Sequence, residues 1–271
     1  MTHPTTHTLD APGATLSYEV HGSGPVLLMV GHPMTADGFR ALADQFPDRT
    51  VVLHDPRGTG GSPMPDPTQP PDVDVLAEDL SRVLAAVGQG PADVFGSSGG
   101  AITALALAAA HPDQVRTVVA HEPPLVEHLA DADAVRAQLA EVAATHREHG
   151  AGAAMGAFAA VAGFALPEPA PDAPPPPAPS EADQRAMARM LLGIESVCTY
   201  RLDAAALPPG RVRIGVGAWS GEQVLTGRTS RAEAAHVGVP LVEFPGGHGG
   251  FVTEQGGDAV AFAAVLRGLL E

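Results

Sequence analysis

Val94-Phe95-Gly96-Ser97-Ser98-Gly99-Gly100-Ala101 is the stretch from which the fold can be read. The apolar run Ala92 to Phe95 predicts a buried strand, and Ala101 to His111 (AITALALAAAH) predicts a helix. Between them stands a serine with glycines two residues to either side. That spacing fits a sharp strand-to-helix turn that exposes a nucleophilic hydroxyl. A side chain at Gly96 or Gly100 would collide with the neighbouring strand or helix backbone, so the glycines let the turn close. Ser98 is therefore the candidate nucleophile. Taken alone, the pattern also fits an ordinary Gly/Ser turn, and the weight falls on partners elsewhere in the chain.

Upstream of this turn, Val26 to Val30 is a continuous apolar strand of the kind buried on both faces. Thr50 to His54, Val115 to Ala120, Val212 to Val216 and Pro240 to Phe244 read as further strands. Helices are expected from Ala36 to Phe46 with Thr35 as N-cap, from Val73 to Val87, near Ser230 to His236, and from Ala259 to Leu270. The last of these offers Val260, Phe262, Val265, Leu266 and Leu269 for burial. Thr5 to Leu9 and Ala14 to Glu19 suggest an antiparallel pair across a turn. Strands alternating with helices through short connections call for an α/β fold, with a mostly parallel sheet covered on both sides.

The alternation breaks after Pro124. Val126 to His149, Gly152 to Ala165 and Glu181 to Tyr200 read as helical, interrupted by LPEPAPDAPPPPAPS at 166–180. Proline fixes φ and removes donors, so this stretch is expected to be an exposed polyproline tether. Residues 125–208 are read as a helical lid inserted between a first core part, 1–124, and a second, 209–271.

The 271 residues suffice for one sizeable domain with an inserted lobe. A formal charge of −16 argues against nucleic-acid binding, which needs a basic footprint. A single cysteine, Cys198, excludes an intrachain disulfide framework. No apolar run reaches transmembrane length, and Met1 to Gly13 lacks the features of a secretory signal, so a cytoplasmic protein without membrane attachment is expected.

Catalytic groups in open parallel sheets collect at the C-terminal strand ends. His32, Asp55, Ser98, Glu122, Trp219, Glu222 and His248 all follow an expected strand end. His248, in a glycine-rich loop after the last strand, is the candidate general base. A carboxylate must accept from its far nitrogen and fix its tautomer. The loop after Val216 has no aspartate, and Ser220 stands where a Gly-x-x-Asp ending would put one. Glu122 and Glu222 remain as candidates, and Glu122 is preferred because it follows directly on the strand after the serine turn. The oxyanion donors expected are the backbone N–H groups of Gly99 and His32, each capable of contributing about 3 kcal/mol in the transition state. The ring of His32 is a candidate for the site entrance. Asp55 and Arg57 read as a structural loop, and Met34, Trp219 and Phe251 as pocket walls, with core packing an equal reading for Phe251. Cys198 has no evident base. No phosphate-cradling lysine, dinucleotide fingerprint or zinc spacing is present, so no cofactor or metal is expected.

Gly31-His32-Pro33, Asp55-Pro56-Arg57-Gly58, Gly96-Ser97-Ser98-Gly99-Gly100 and Gly247-His248-Gly249-Gly250, in this order, make the chain resemble the α/β-hydrolase superfamily over essentially its whole length. The resemblance implies an eight-stranded, mostly parallel sheet with a helical lid after strand six. It also implies an acyl-enzyme on Ser98, activated by His248, with the oxyanion held by His32 and Gly99. A narrower likeness is to the small lactonases that open the macrolactone of the mycotoxin zearalenone. It is carried by Val119-Ala120-His121-Glu122-Pro123-Pro124, Phe95 to Gly99, Val216-Gly217-Ala218 and Pro245 to His248. In that group a glutamate after strand six completes the triad, which supports Glu122. Haloalkane dehalogenases share this glutamate but use an aspartate nucleophile where this chain has Ser98. The proline-rich insert has no counterpart in the resemblance.

The sequence thus points to metal-independent hydrolysis of an apolar carboxylic ester or lactone. Cofactor-free perhydrolysis or C–C bond hydrolysis on the same triad, and a hydrolase-like ligand-binding protein without turnover, are the alternatives.

Overall fold

The computed structural model describes residues 4–163 and 180–270. Eight strands form one sheet: β1 (Thr5–Ala11), β2 (Ala14–Gly22), β3 (Val26–Val30), β4 (Thr50–His54), β5 (Ala92–Ser97), β6 (Val115–His121), β7 (Val212–Gly217) and β8 (Leu241–Phe244). Their order is β1-β2-β4-β3-β5-β6-β7-β8. The β1–β2 and β2–β4 pairs are antiparallel, and every other pair is parallel.

The central strands β3, β4 and β5 are buried at every position because both faces of the sheet are covered. Successive side chains point to opposite faces. Val26, Leu28, Val30, Val52, Val94 and Val118 accordingly enter one buried cluster, while Leu27, Met29, Val51, Leu53, Phe95 and Val119 enter another. The first cluster is closed by α2 (Val73–Val87) and α3 (Gly99–Ala110), the second by the segment around Phe39 and Leu42 and by α8 (Ala259–Leu269). Along α2, Leu76, Leu80, Val83 and Leu84 face the sheet, Asp72 caps the start, and Gly88 ends the helix in the left-handed region. α3 is buried over most of its length and is apolar all round, as a helix wedged between sheet and neighbours must be.

Between β6 and β7 the chain runs through α4 (Ala132–His149), α5 (Ala151–Ala162) and α6 (Glu181–Cys198). These helices share a third buried cluster, including Val135, Leu139, Ala154, Leu191 and Ile194, which also takes in Leu225. Arg189 of α6 donates to the carbonyls of Pro67 and Gln69, tying the helix to the connection after β4. The proline-rich stretch 166–180, apart from Ser180, lies outside the described residues.

Several expected boundaries move, each for a local reason. The first long helix after β6 begins at Ala132 rather than Val126: the chain before it makes turns closed by Leu129 N–H to the Val126 carbonyl and Ala132 N–H to the Leu129 carbonyl, while the Val126 N–H donates to the Cys198 carbonyl. The expected helix from Ala36 to Phe46 shrinks to a 3₁₀ turn at Ala36–Phe39 and α1 (Arg40–Ala43). Thr35 does not cap it. The Ala36 N–H goes instead to the Asp55 carboxylate. α7 (Leu225–Val237) starts well before Ser230. Its first turn holds poor helix formers, and the hydroxyls of Thr229 and Ser230 find carbonyls on the helix itself or on Pro123. On α8, Val260 faces solvent, whereas Phe262 and Leu266 are buried. Among the described residues no helix is long and apolar enough to cross a membrane.

Candidate active site

The turn after β5 has the form its sequence predicts. Ser98 adopts φ 58° and ψ −131°, a conformation that costs free energy for a residue with a side chain. Its N–H donates to the His121 carbonyl at 3.0 Å, and its carbonyl accepts from Ala101 at 2.9 Å, which opens α3. A Cβ on Gly96 would lie 2.5 Å from the Gly100 carbonyl oxygen, and one on Gly100 would lie 2.2 Å from that of Val30. Both glycines are therefore required by close backbone approach. Ser98 is left partly exposed between two buried neighbours, Ser97 and Gly99.

Glu122 stands directly after β6, fully buried, at φ 51°. Its N–H donates to the Gly215 carbonyl of β7 at 3.0 Å. One carboxylate oxygen, Oε1, accepts from the Gly217 N–H at 2.8 Å. The other, Oε2, accepts from Thr226 Oγ1 at 2.6 Å and faces His248 Nδ1 at 2.7 Å. Burial works against the charged form of Glu122, but the hydrogen bond and charge of His248 outweigh it. They hold the carboxyl well below the usual carboxylate range. An ionised carboxylate only accepts, so Nδ1 is the donor, and in a neutral imidazole the lone pair then lies on Nε2. Glu222, by contrast, is exposed and lies 3.6 Å from Arg231 Nε. The structure joins His248 to Glu122.

Ser98, His248, His32, Gly99 and Thr226 line one cavity of about 790 Å³. Its apolar wall includes Met34, Phe158, Met190, Ile194, Leu225 and Val252. The two expected oxyanion donors are neighbours: a Cβ on Gly99 would lie 2.8 Å from the His32 carbonyl oxygen. The His32 ring is not at the entrance. It is buried, its Nε2 has no hydrogen-bond partner, and burial, with the charges of Arg189 and His54, lowers its pKa to about 4.

Other expected residues separate by role. The Asp55 carboxylate accepts from the N–H groups of Ala36 and Gly61. Arg57 makes a two-pronged pair with Asp79 and also reaches the Pro12 carbonyl. Both are structural, as the sequence suggested. Trp219 does not wall the cavity; it is 74% exposed, because the loop after β7 turns outward there. Phe251 belongs to the core, packed against Phe39, Phe95 and Phe262. Cys198 touches the cavity, but burial pushes its thiol up to about 12, which leaves it protonated and unreactive at neutral pH. Among the described residues no three His, Cys, Asp or Glu side chains converge to hold a metal ion.

Sequence reasoning missed Thr226. No spacing relates it to Glu122, and its only local signal is a hydroxyl placed where a helix begins. Ser220, noted for standing where an aspartate could be, is buried, and its hydroxyl adds to the stabilisation of the Glu122 carboxylate.

The chain is similar to an uncharacterised hydrolase, YraK, of Bacillus subtilis: 40% identical over 124 residues, covering 45% of this chain and 46% of that protein. RutD of Caulobacter segnis, a protein named for a proposed carbamate hydrolase activity, is 35% identical over 124 residues, covering 42% of this chain and 44% of that protein. The chain thus spans less than half the length of these curated relatives. A hydrolase of known structure from Pseudomonas aeruginosa PA01 superposes with a TM-score of 0.70 over 98% of both chains at 22% identity, a likeness of fold. The family model described as the alpha/beta hydrolase fold matches residues 24–163, which run from β3 through the serine turn to the end of α5. With sheet order, serine turn and family match in agreement, the chain belongs to the α/β-hydrolase fold family.

Proposed function

We propose that the protein is a serine hydrolase that cleaves an apolar carboxylic ester or lactone through an acyl-enzyme. The observation that carries this reading is the 2.7 Å contact between His248 Nδ1 and the buried Glu122 carboxylate, on a cavity that Ser98 also lines. With Nδ1–H given to Glu122, Nε2 accepts the Ser98 proton as Oγ attacks the substrate carbonyl carbon. The carbonyl π pair moves to oxygen, and the N–H groups of His32 and Gly99 receive the resulting oxyanion. The tetrahedral intermediate collapses, the C–O bond to the alcohol breaks, and His248 returns the proton to the departing oxygen. Water, deprotonated by His248, then attacks the acyl-enzyme and restores Ser98 as the acid departs. In a lactone the alcohol stays tethered to the acyl group, so a single hydroxy acid is released.

Residues 125–208 are read as a lid on this site, since α5 and α6 contribute Phe158, Met190 and Ile194 to the cavity wall. That wall favours an apolar acyl group. Zearalenone is the specific macrolactone to test, on the strength of the sequence likeness around Glu122 and His248.

The test is a product-resolved screen of esters, lactones including zearalenone, carbamates, peroxide and diketones, run on the wild type and on Ser98→Ala. The reading expects acid and alcohol, or a single hydroxy acid, with loss of turnover in the variant. Turnover of esters or lactones that survives in Ser98→Ala, or activity confined to diketones or to peroxide, would overturn it.

A further inference from the structure

A glutamate has one more torsion than an aspartate, so a glutamate acid needs restraint at both oxygens if it is to hold an imidazole in one orientation. Gly217 N–H restrains Oε1 at 2.8 Å. Oε2, the oxygen that faces His248, is restrained by Thr226 Oγ1 at 2.6 Å. Thr226 is itself well fixed. It is 6% exposed, and its carbonyl accepts from both Thr229 Oγ1 at 3.2 Å and Ser230 Oγ at 2.7 Å. Thr229 Oγ1 also reaches the carbonyl of Pro123, the residue after Glu122, at 2.7 Å. The first turn of α7 thus grips the acid segment through a side chain and a backbone contact.

We infer that Thr226 is a positioning residue for the triad, whose hydroxyl orients the Glu122 carboxylate and, through it, the imidazole of His248. This inference rests on the reading of Glu122 as the triad acid. Thr226 also lines the cavity, so its role has to be separated from a contact with substrate.

The probe is a fluorophosphonate, whose reaction with Ser98 reports nucleophile activation without knowledge of the natural substrate. Its limiting inactivation rate (kinact) and half-saturation concentration (KI) are measured for wild type, Thr226→Val, Thr226→Ser, Thr226→Ala and Glu122→Gln, alongside thermal midpoints. Thr226→Val is expected to lower kinact about tenfold, equivalent to roughly 1.4 kcal/mol, with KI within about twofold. Thr226→Ser keeps the hydroxyl and is expected to restore most of the rate. Thr226→Ala repeats the loss if valine does not fold. Full-rate labelling of a folded Val or Ala variant, with Glu122→Gln slow, would overturn the inference alone. A serine variant as slow as valine, or a loss carried by KI, would also overturn it. Full-rate labelling of Glu122→Gln would remove the acid assignment itself.

Discussion

Gly217 and Gly247 are packed so closely that a Cβ on Gly217 would lie 2.7 Å from the Cα of Gly247. This contact joins the end of β7 to the loop that carries His248, and the same Gly217 supplies the N–H that holds Glu122 Oε1. One glycine therefore sets the distance between the base loop and the acid.

Gly217→Ala is predicted to push the two loops apart. The expected stability loss is about 1–3 kcal/mol, with a larger proportional loss of turnover than of stability. Urea titration and ester hydrolysis on the folded fraction provide the check. Unchanged turnover would show that the loop contact is not needed.

Glu122→Gln is predicted to lower kcat by about 10³–10⁴-fold, as expected when a triad carboxylate no longer fixes the tautomer. Glu222→Gln is predicted to change it by less than about twofold, because Glu222 is exposed and faces Arg231. Circular dichroism on both variants establishes that each is folded. The reverse ranking would reject the acid assignment.

The buried pair of Arg57 and Asp79, joined at 2.6 Å by both prongs, fixes the loop after β4 to α2. Arg57→Ala leaves a buried carboxylate uncompensated and is predicted to cost about 3–5 kcal/mol. Arg57→Met combined with Asp79→Leu is predicted to cost much less, since no charge is then stranded. Equal losses for single and double variants, read from denaturant midpoints, would contradict this.

Glu233 on α7 is fully buried with no hydrogen bond to either carboxylate oxygen, and His128 Nε2 is 3.7 Å from Oε2. Burial pushes its carboxyl up to about 7 from 4.5. The folded protein thus keeps a proton that the unfolded chain releases. The favourable contribution is whole below pH 4.5 and fades as pH rises through 7. Glu233→Gln is predicted to stabilise the protein by about 1–3 kcal/mol at pH 8 and to make little difference at pH 4. A stability difference independent of pH would count against the assignment.

Much of this architecture was legible because the decisive signals are local. β3 is apolar at every position and β4 and β5 carry the apolar runs Val51-Val52-Leu53 and Val94-Phe95, which suit burial on two faces. The serine turn was legible because its glycine spacing is local, although only Gly96 answers to a nearby backbone contact, the Gly100 carbonyl, while Gly100 makes room for Val30 of β3. What could not be read depends on convergence in space. Glu122 and Glu222 both follow strand ends, and sequence order cannot say which side chain turns inward. Thr226 bonds to Glu122 across 104 positions with no motif joining them. Trp219, an apolar residue near the site, turns out to solvent for reasons of loop path that composition does not encode. The early start of α7 escaped notice because Thr226, Gly227, Thr229 and Ser230 are weak helix formers held in place by tertiary partners.

Activation of Ser98 by His248 and Glu122 is read out by intact-mass analysis and peptide mapping after treatment of the native protein with a fluorophosphonate. One phosphonyl group per chain is predicted, on Ser98, absent from Ser98→Ala and formed far more slowly in His248→Ala. Hydrolytically active protein that stays unlabelled, or carries the group on another residue, would contradict it.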